Sequence, residues 1–164
     1  MIVAIDPGLD GAIVAKKEQT TWLWDMPTHA NGKGKTKVKR QVNAVELADI
    51  LRRLQFHEQP IFVFIEKVSS MPGQGSASIF SLGDTVGCIR GVCAALGYPT
   101  EFIASQSWKK HFRLNSDKEV CRAYAIQCFP DQNLSRKKDH NRAEALLILK
   151  YIEETKTDYW HVPF

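Results

Sequence analysis

Two apolar segments each end on a carboxylate, and this pattern constrains the fold more than any other feature of the chain. Ile2–Asp6 reads Ile-Val-Ala-Ile-Asp, and Ile61–Glu66 reads Ile-Phe-Val-Phe-Ile-Glu. Short runs this apolar are typical of strands that are covered on both faces. Buried strands normally exclude acids, because an unpaired carboxylate loses its hydration. Either acid alone could begin a loop or cap a turn. Together they favour a functional site, since ligands of α/β sheets gather just beyond the strand ends.

The rest of the sequence alternates between strand and helix patterns. Ile2–Asp6, Gly11–Lys16 and Thr20–Asp25 are β-type runs separated by turn residues, so they predict a β-meander. Helical spacing and capping residues, including a Ser116–Glu119 capping box, predict further elements: helices over 43–56, 76–96, 116–128 and 139–154, and strands over 61–65 and 99–104. We therefore expect a single mixed α/β domain over residues 1–164, with helices on both faces of a central sheet.

Composition limits the classes of protein that this chain can be. Hydrophobic residues make up 44% and charged residues 24%, which is typical of a globular chain. The net charge of +4 permits a polyanionic partner without requiring one. No apolar run approaches the roughly 20 residues that cross a bilayer, and the N-terminus lacks the features of a signal peptide. The four cysteines show no CxxC spacing, so we expect reduced thiols, no zinc site and a cytosolic protein.

The last predicted helix adds further chemical groups. His140 and Glu144 are four residues apart and therefore share a helix face, while Asp139 is placed either as a ligand or as the helix N-cap. With Asp6 and Glu66 they form a mostly oxygen-donor set, which suits Mg²⁺ or Mn²⁺ rather than zinc. Two such ions about 4 Å apart activate water in phosphodiester hydrolysis.

Basic and polar residues indicate where a polyanion could bind. Lys33, Lys35, Lys37, Lys39 and Arg40 form an alternating stretch that is either a solvated loop or a comb of phosphate contacts. Arg136, Lys137 and Lys138 directly precede the helix of His140. Trp108 is expected to pack in the core rather than stack on a base, and Lys118 to be an exposed residue of a capped first turn. The further expected DNA contacts are Lys109 and Gln74.

Glycines recur along the predicted helix over 76–96. Gly83, Gly87 and Gly91 lie at positions i, i+4 and i+8 and so fall on one stripe. Glycine lowers the stability of a helix interior, so the stripe indicates close packing against a sheet or a partner chain.

Three segments together resemble a known family. They are Asp6–Ala12 (Asp-Pro-Gly-Leu-Asp-Gly-Ala), Ile65–Glu66, and the run from Lys137 that reads Lys-Lys-Asp-His-Asn-Arg-Ala-Glu-Ala-Leu-Leu. They resemble the RuvC-like Holliday junction resolvases, above all the phage-type members and the related plant chloroplast enzymes. The likeness covers nearly the whole chain, including Gly91–Gly97 and Ser107–Lys110.

The resemblance implies a ribonuclease H-like fold, a homodimer, and a carboxylate-bound pair of Mg²⁺ ions, replaceable by Mn²⁺, that nicks opposed strands of a four-way junction. Asp6 and Glu66 match the first two family acids and Glu144 the last. The fourth ligand is assigned to His140, with Asp139 as a competitor and Asn141 as a third possibility. The expected location is the cytoplasm of a bacterium or of a virus-infected cell rather than an organelle.

One family feature is absent. Some bacterial members have an aromatic residue, three positions after the second acid, that wedges into the junction. This chain has Ser69 at that position, so the wedge is assigned elsewhere, with Met71 beside the Gly73–Gly75 loop as the candidate.

Three other functions compete with this interpretation. An actin-like ATPase also opens on a strand with an Asp and a hairpin, but it needs two duplicated lobes. A related nuclease that acts on structured RNA would use the same metal chemistry. A catalytically inactive DNA-architectural protein would keep the fold, although a pure binder gains nothing from carboxylates that face phosphates.

Overall fold

A computed structural model describes residues 1–31, 39–55, 60–69, 73 and 75–156, and all structural statements concern these residues. In chain order the strands are β1 (Ile2–Asp6), β2 (Ala12–Lys17), β3 (Thr20–Asp25), β4 (Thr28–Asn31), β5 (Lys39–Val42), β6 (Phe62–Lys67) and β7 (Thr100–Ala104). The helices are α1 (Ala44–Gln55), α2 (Ser76–Ala95), α3 (Ser105–His111), α4 (Lys118–Cys128) and α5 (His140–Thr155), the last preceded by a 3₁₀ turn (Lys137–Asp139).

The central sheet brings the two apolar segments together. Its strand order is β3-β2-β1-β6-β7, in which β1 runs antiparallel to β2 and parallel to β6. The register pairs Ile5 with Ile65, so the carboxyl ends of β1 and β6 lie at the same edge of the sheet. This arrangement confirms the mixed α/β architecture and the β-meander.

A hydrophobic core covers each face of the sheet. Val3, Ile5 and Ile65 pack on the face covered by Leu47 and Leu51 of α1, and the opposite face packs on α5 through its buried run Ala143–Leu149. Alternate residues of β1 and β6 therefore point into two different cores, which explains why both strands are almost entirely apolar. The expectation that the 61–65 strand is covered on both faces is confirmed.

Three local features differ from expectation. Residues 105–111 form the helix α3, and β4 pairs with β5 in a separate antiparallel hairpin; neither was predicted. The N-cap of α4 is Asp117, whose carboxylate accepts hydrogen bonds from the backbone N–H groups of Glu119 and Val120, so Ser116 as the capping residue was wrong. Aspartate and serine are both good N-caps, and the sequence offered them side by side.

The glycine stripe of α2 faces away from the packed part of this chain. A Cβ atom added at Gly83, Gly87 or Gly91 would meet no described atom within 4 Å. The stripe was expected to pack against a sheet or a partner chain. Within the described part of the chain, it does not pack against the sheet. No helix in the described part of the chain is long and apolar enough to cross a membrane.

Candidate active site

Three elements place carboxylates at the shared edge of the sheet. Asp6 is the last residue of β1, Glu66 lies near the end of β6, and Glu144 lies in the second turn of α5, which packs across β1 and β2. The side chains of Asp6 and Glu144 are almost fully buried, each in a residue only 8% exposed. Buried acids of this kind require compensation by donors, cations or a bound ligand.

A tight turn after β1 fixes the position of Asp6. The backbone N–H of Gly11 donates to the carbonyl of Gly8, and the N–H of Gly8 lies 3.4 Å from Asp6 Oδ1. A Cβ atom at Gly11 would lie 2.1 Å from the carbonyl oxygen of Asp6, so only glycine fits there. The Asp-Pro-Gly-Leu-Asp-Gly motif therefore folds the chain back into β2 while orienting the first acid.

The three acids interact electrostatically. Burial, followed by the negative charges of Glu66 and Glu144, raises the pKa of Asp6 to about 7. Burial and the charge of Glu144 also raise the pKa of Glu66, although the hydrogen bond from Trp108 opposes this change. A site that holds excess negative charge in this way is suited to a cation.

Helix α3 supplies two consecutive residues to this cluster. The indole Nε1–H of Trp108 donates to Glu66 Oε1 at 3.1 Å, and Lys109 Nζ lies 3.3 Å from Glu144 Oε1. Trp108 is completely buried, so packing rather than base stacking is confirmed for its ring. The charge of Lys118, at the start of α4, favours the ionised forms of Asp6 and Glu66 and so opposes the rise in their pKa. The links of Trp108 and Lys118 to the acids were missed because they depend on how α3 and α4 pack.

Asp139 is engaged by arginines rather than placed with the three acids. Its carboxylate accepts hydrogen bonds from the backbone N–H of Arg136 at 2.8 Å and from the Arg136 guanidinium at 2.7 and 3.0 Å. Burial acts to raise the pKa of Asp139, but the bonds from Arg136 and the charge of Arg142 outweigh it and lower that pKa. Arg142 also pairs with Asp25 at the end of β3, which ties the start of α5 to the sheet.

His140 lies beside Asp139 in a cavity of about 490 Å³ at the start of α5. His140 Nδ1 lies 2.9 Å from the carbonyl oxygen of Lys137. A carbonyl only accepts, so in the neutral ring this contact places the proton on Nδ1 and leaves the Nε2 lone pair available, as in most metal-binding histidines. Asn141, the third possibility for a ligand, donates from Nδ2 to the carbonyl of Asp10.

The donor set fits a divalent cation in its chemistry. Among the described residues, no three His, Cys, Asp or Glu side chains are arranged as a group that would hold a metal ion as they now lie. The mutual charge of Asp6, Glu66 and Glu144 nevertheless demands a counterion, and carboxylate oxygens are the ligands that Mg²⁺ prefers. Lys109 now serves as part of that counterion at Glu144.

The expected DNA contacts fall into three groups. Lys33, Lys35, Lys37, Gln74 and the wedge candidate Met71 lie outside the described residues, while Lys39 lies in β5. Arg40 forms an ion pair with Asp10, and Arg136 forms one with Asp139. Lys137 and Lys138 are exposed in the 3₁₀ turn. The remaining expected contact, Lys109, lies in α3 and pairs with Glu144. The other described members lie near the first turn of α5 and in the β4–β5 hairpin.

A central sheet of this order, flanked by helices and with acids at the ends of the adjacent strands β1 and β6, is that of the ribonuclease H-like class of fold. Within that class the chain has the fold of RuvC. The structure of Thermus thermophilus RuvC matches 95% of this chain and 96% of its own, with a TM-score of 0.54 and 11% identity. T. thermophilus RuvC in complex with Holliday junction substrate matches the same shares with a TM-score of 0.58 and 11% identity. No protein-family model and no curated protein sequence matches the chain.

Proposed function

We propose that this protein is a Mg²⁺-dependent, structure-selective DNA endonuclease that resolves four-way junctions by paired nicks. The observation that carries the proposal is the convergence of Asp6, Glu66 and Glu144 at one sheet edge, with the pKa of Asp6 raised to about 7. A binding protein for DNA has no use for excess negative charge at this edge, whereas a metal-dependent hydrolase needs it. The RuvC fold and a solved RuvC structure with Holliday junction substrate support the choice of substrate.

Different residues of the site would have different roles in the reaction. Asp6, Glu66 and Glu144 would hold the metal ions, and His140 is the proposed fourth ligand through Nε2. When bound, the metal pair supplies an activated water and stabilises the leaving oxygen. Mn²⁺ should substitute, because it takes the same oxygen ligands. Lys109, which pairs with Glu144, would contact a phosphate once a cation neutralises that carboxylate. Asp139 would instead stabilise the 3₁₀ turn before α5 through its bonds to Arg136.

The test is cleavage of a synthetic, immobile four-way DNA junction with and without Mg²⁺, beside a linear duplex of equal length, a fork, a flap and a structured RNA. Paired symmetric nicks in the junction alone are expected. Equal cleavage of forks and flaps would contradict strict junction selectivity and indicate a general debranching nuclease. Cleavage of the RNA alone would mean that the substrate is RNA rather than DNA, with the same metal chemistry. Tight junction binding that Mg²⁺ never converts to cleavage would favour an architectural protein.

We also propose that the protein is a homodimer, with the glycine stripe of α2 as the interface, because two symmetric active sites would give paired nicks. The stripe is exposed at Gly83, Gly87 and Gly91, and it adjoins a groove lined by Tyr98 and Phe102. Exposed glycines allow a second backbone to approach closely, which is a common reason to keep them in a helix.

Gly87→Leu is expected to dissociate this dimer. A Cβ atom at Gly87 meets no described atom within 4 Å, the position is exposed, and leucine favours a helix over glycine by about 1 kcal/mol, so the monomer should stay folded. Sedimentation velocity should show a dimer for the wild type and a monomer for Gly87→Leu. The matched control, Gln127→Leu on the exposed face of α4, should remain dimeric. A dimer that survives Gly87→Leu would place the interface elsewhere.

A further inference from the structure

The carboxylate of Glu66 is held by a neutral donor inside the core. Its Oε1 accepts from the indole N–H of Trp108 at 3.1 Å, whereas Glu144 is held by the charged Lys109. A neutral N–H orients a carboxylate without cancelling its charge, and an indole nitrogen can only donate. The two acids therefore have different direct partners: Glu66 accepts a hydrogen bond from a neutral N–H, and Glu144 pairs with a charged lysine.

The fold determines where the indole N–H lies. Glu66 pairs with Ile103 of β7, and α3 begins directly after that strand, which places its second turn beside the end of β6. The ring of Trp108 is completely buried against the core on the α5 side of the sheet. A large ring packed in a core has little rotational freedom, so its N–H direction is fixed by packing rather than by the bond itself.

We propose that Trp108 is a positioning residue that orients Glu66 so that one of its carboxylate oxygens binds the metal. This inference rests on the proposed function. The bond to Oε1 restricts the terminal torsion of Glu66, which is otherwise broad, and assigns Oε2 to the cation. Donors of this kind, behind a metal ligand, typically change metal affinity or activity by about 10- to 100-fold when they are removed.

Trp108→Phe tests the proposal, because it removes the N–H and retains most of the buried ring. We expect Mg²⁺ binding, measured by calorimetry without DNA, to weaken roughly 10- to 100-fold, while junction affinity in Ca²⁺ is retained. The Mg²⁺ concentration that gives half-maximal cleavage should rise in parallel. The matched control is Trp24→Phe, at a half-buried tryptophan in β3. It should change neither the Mg²⁺ affinity nor the Mg²⁺ concentration for half-maximal cleavage. Unchanged Mg²⁺ affinity in folded Trp108→Phe would overturn the proposal.

A second measurement avoids the risk that Trp108→Phe fails to fold. In ¹⁵N-labelled wild-type protein, the indole N–H resonance of Trp108 should shift as Mg²⁺ is added. In Glu66→Ala that resonance should move upfield and no longer respond to Mg²⁺. An indole resonance that ignores Mg²⁺ in the wild type would overturn the proposal. If the resonance and the Mg²⁺ affinity respond as expected but no junction is cut, the proposed function fails and the positioning role stands.

Discussion

Glu66→Gln is expected to abolish junction cleavage while leaving junction binding intact. Glutamine keeps the volume of the side chain and an oxygen that can accept from the Trp108 indole, so the edge of the sheet should stay packed. What it removes is a negative charge that holds a metal ion. Metal catalysis supplies several kcal/mol of transition-state stabilisation, which corresponds to a loss of roughly 10³-fold or more in rate.

Single-turnover cleavage of a labelled four-way junction, with binding measured separately in Ca²⁺, separates these two effects. Asp139→Asn is the comparison variant, because Asp139 is a buried acid at the start of α5 whose carboxylate is bonded to Arg136 rather than placed with the three acids. That variant should melt at a lower temperature and still cleave. Joint loss of binding and cleavage in Glu66→Gln would mean that Glu66 has a structural role. Loss of cleavage in a folded Asp139→Asn protein would return Asp139 to the ligand set.

The sequence was sufficient to predict that Asp6 and Glu66 lie at one edge of the sheet, because both end apolar runs with the same buried pattern. Ile2–Asp6 and Phe62–Lys67 are strands buried on both faces, and only such strands read as unbroken apolar runs. The acid at the end of each run was therefore informative even without knowledge of the neighbours. The helix that contains Glu144 could also be predicted from the sequence, since its buried run Ala143–Leu149 follows a polar first turn.

The partners of those acids could not be predicted, because they depend on packing between distant elements. Trp108 and Glu66 are 42 residues apart in the chain, and nothing in either local sequence indicates that they meet. The assignment of Asp139 had the same difficulty: an acid at the start of a helix reads equally well as a ligand or as a cap. Asp139 stands at the N-cap position of α5, but its carboxylate bonds to Arg136 rather than to the backbone of α5, and only the folded chain shows these contacts.

Asp6→Asn is expected to stabilise the metal-free protein at pH 8. In the folded state burial, then Glu66 and Glu144, raise the pKa of Asp6 from 3.8 to about 7, against the opposing effects of the Gly8 N–H and Lys118. Between these two values the folded protein binds a proton at Asp6 that the unfolded chain releases, so the contribution of Asp6 to stability falls as the pH rises from about 4 to about 7. Asparagine resembles the protonated form and avoids this loss.

The full difference between pKa values of 3.8 and about 7 corresponds to at most about 4 kcal/mol. Urea unfolding in EDTA should therefore show Asp6→Asn more stable than the wild type at pH 8, with the gap closing near pH 4. Mg²⁺ should stabilise the wild type at pH 8 and have little effect on Asp6→Asn, because binding to the folded state alone raises stability.

Asp25→Asn provides a control of opposite sign. The hydrogen bond and charge of Arg142 lower the pKa of Asp25 despite the opposing effect of burial, so this pair adds stability above the unfolded pKa and loses it as the pH falls. Asp25→Asn should accordingly be slightly less stable than the wild type at pH 8, by a small amount because Asp25 is exposed. An Asp6→Asn protein that is also less stable at pH 8, in the absence of metal, would mean that burial and the neighbouring acids do not destabilise the ionised Asp6 carboxylate as the fold implies.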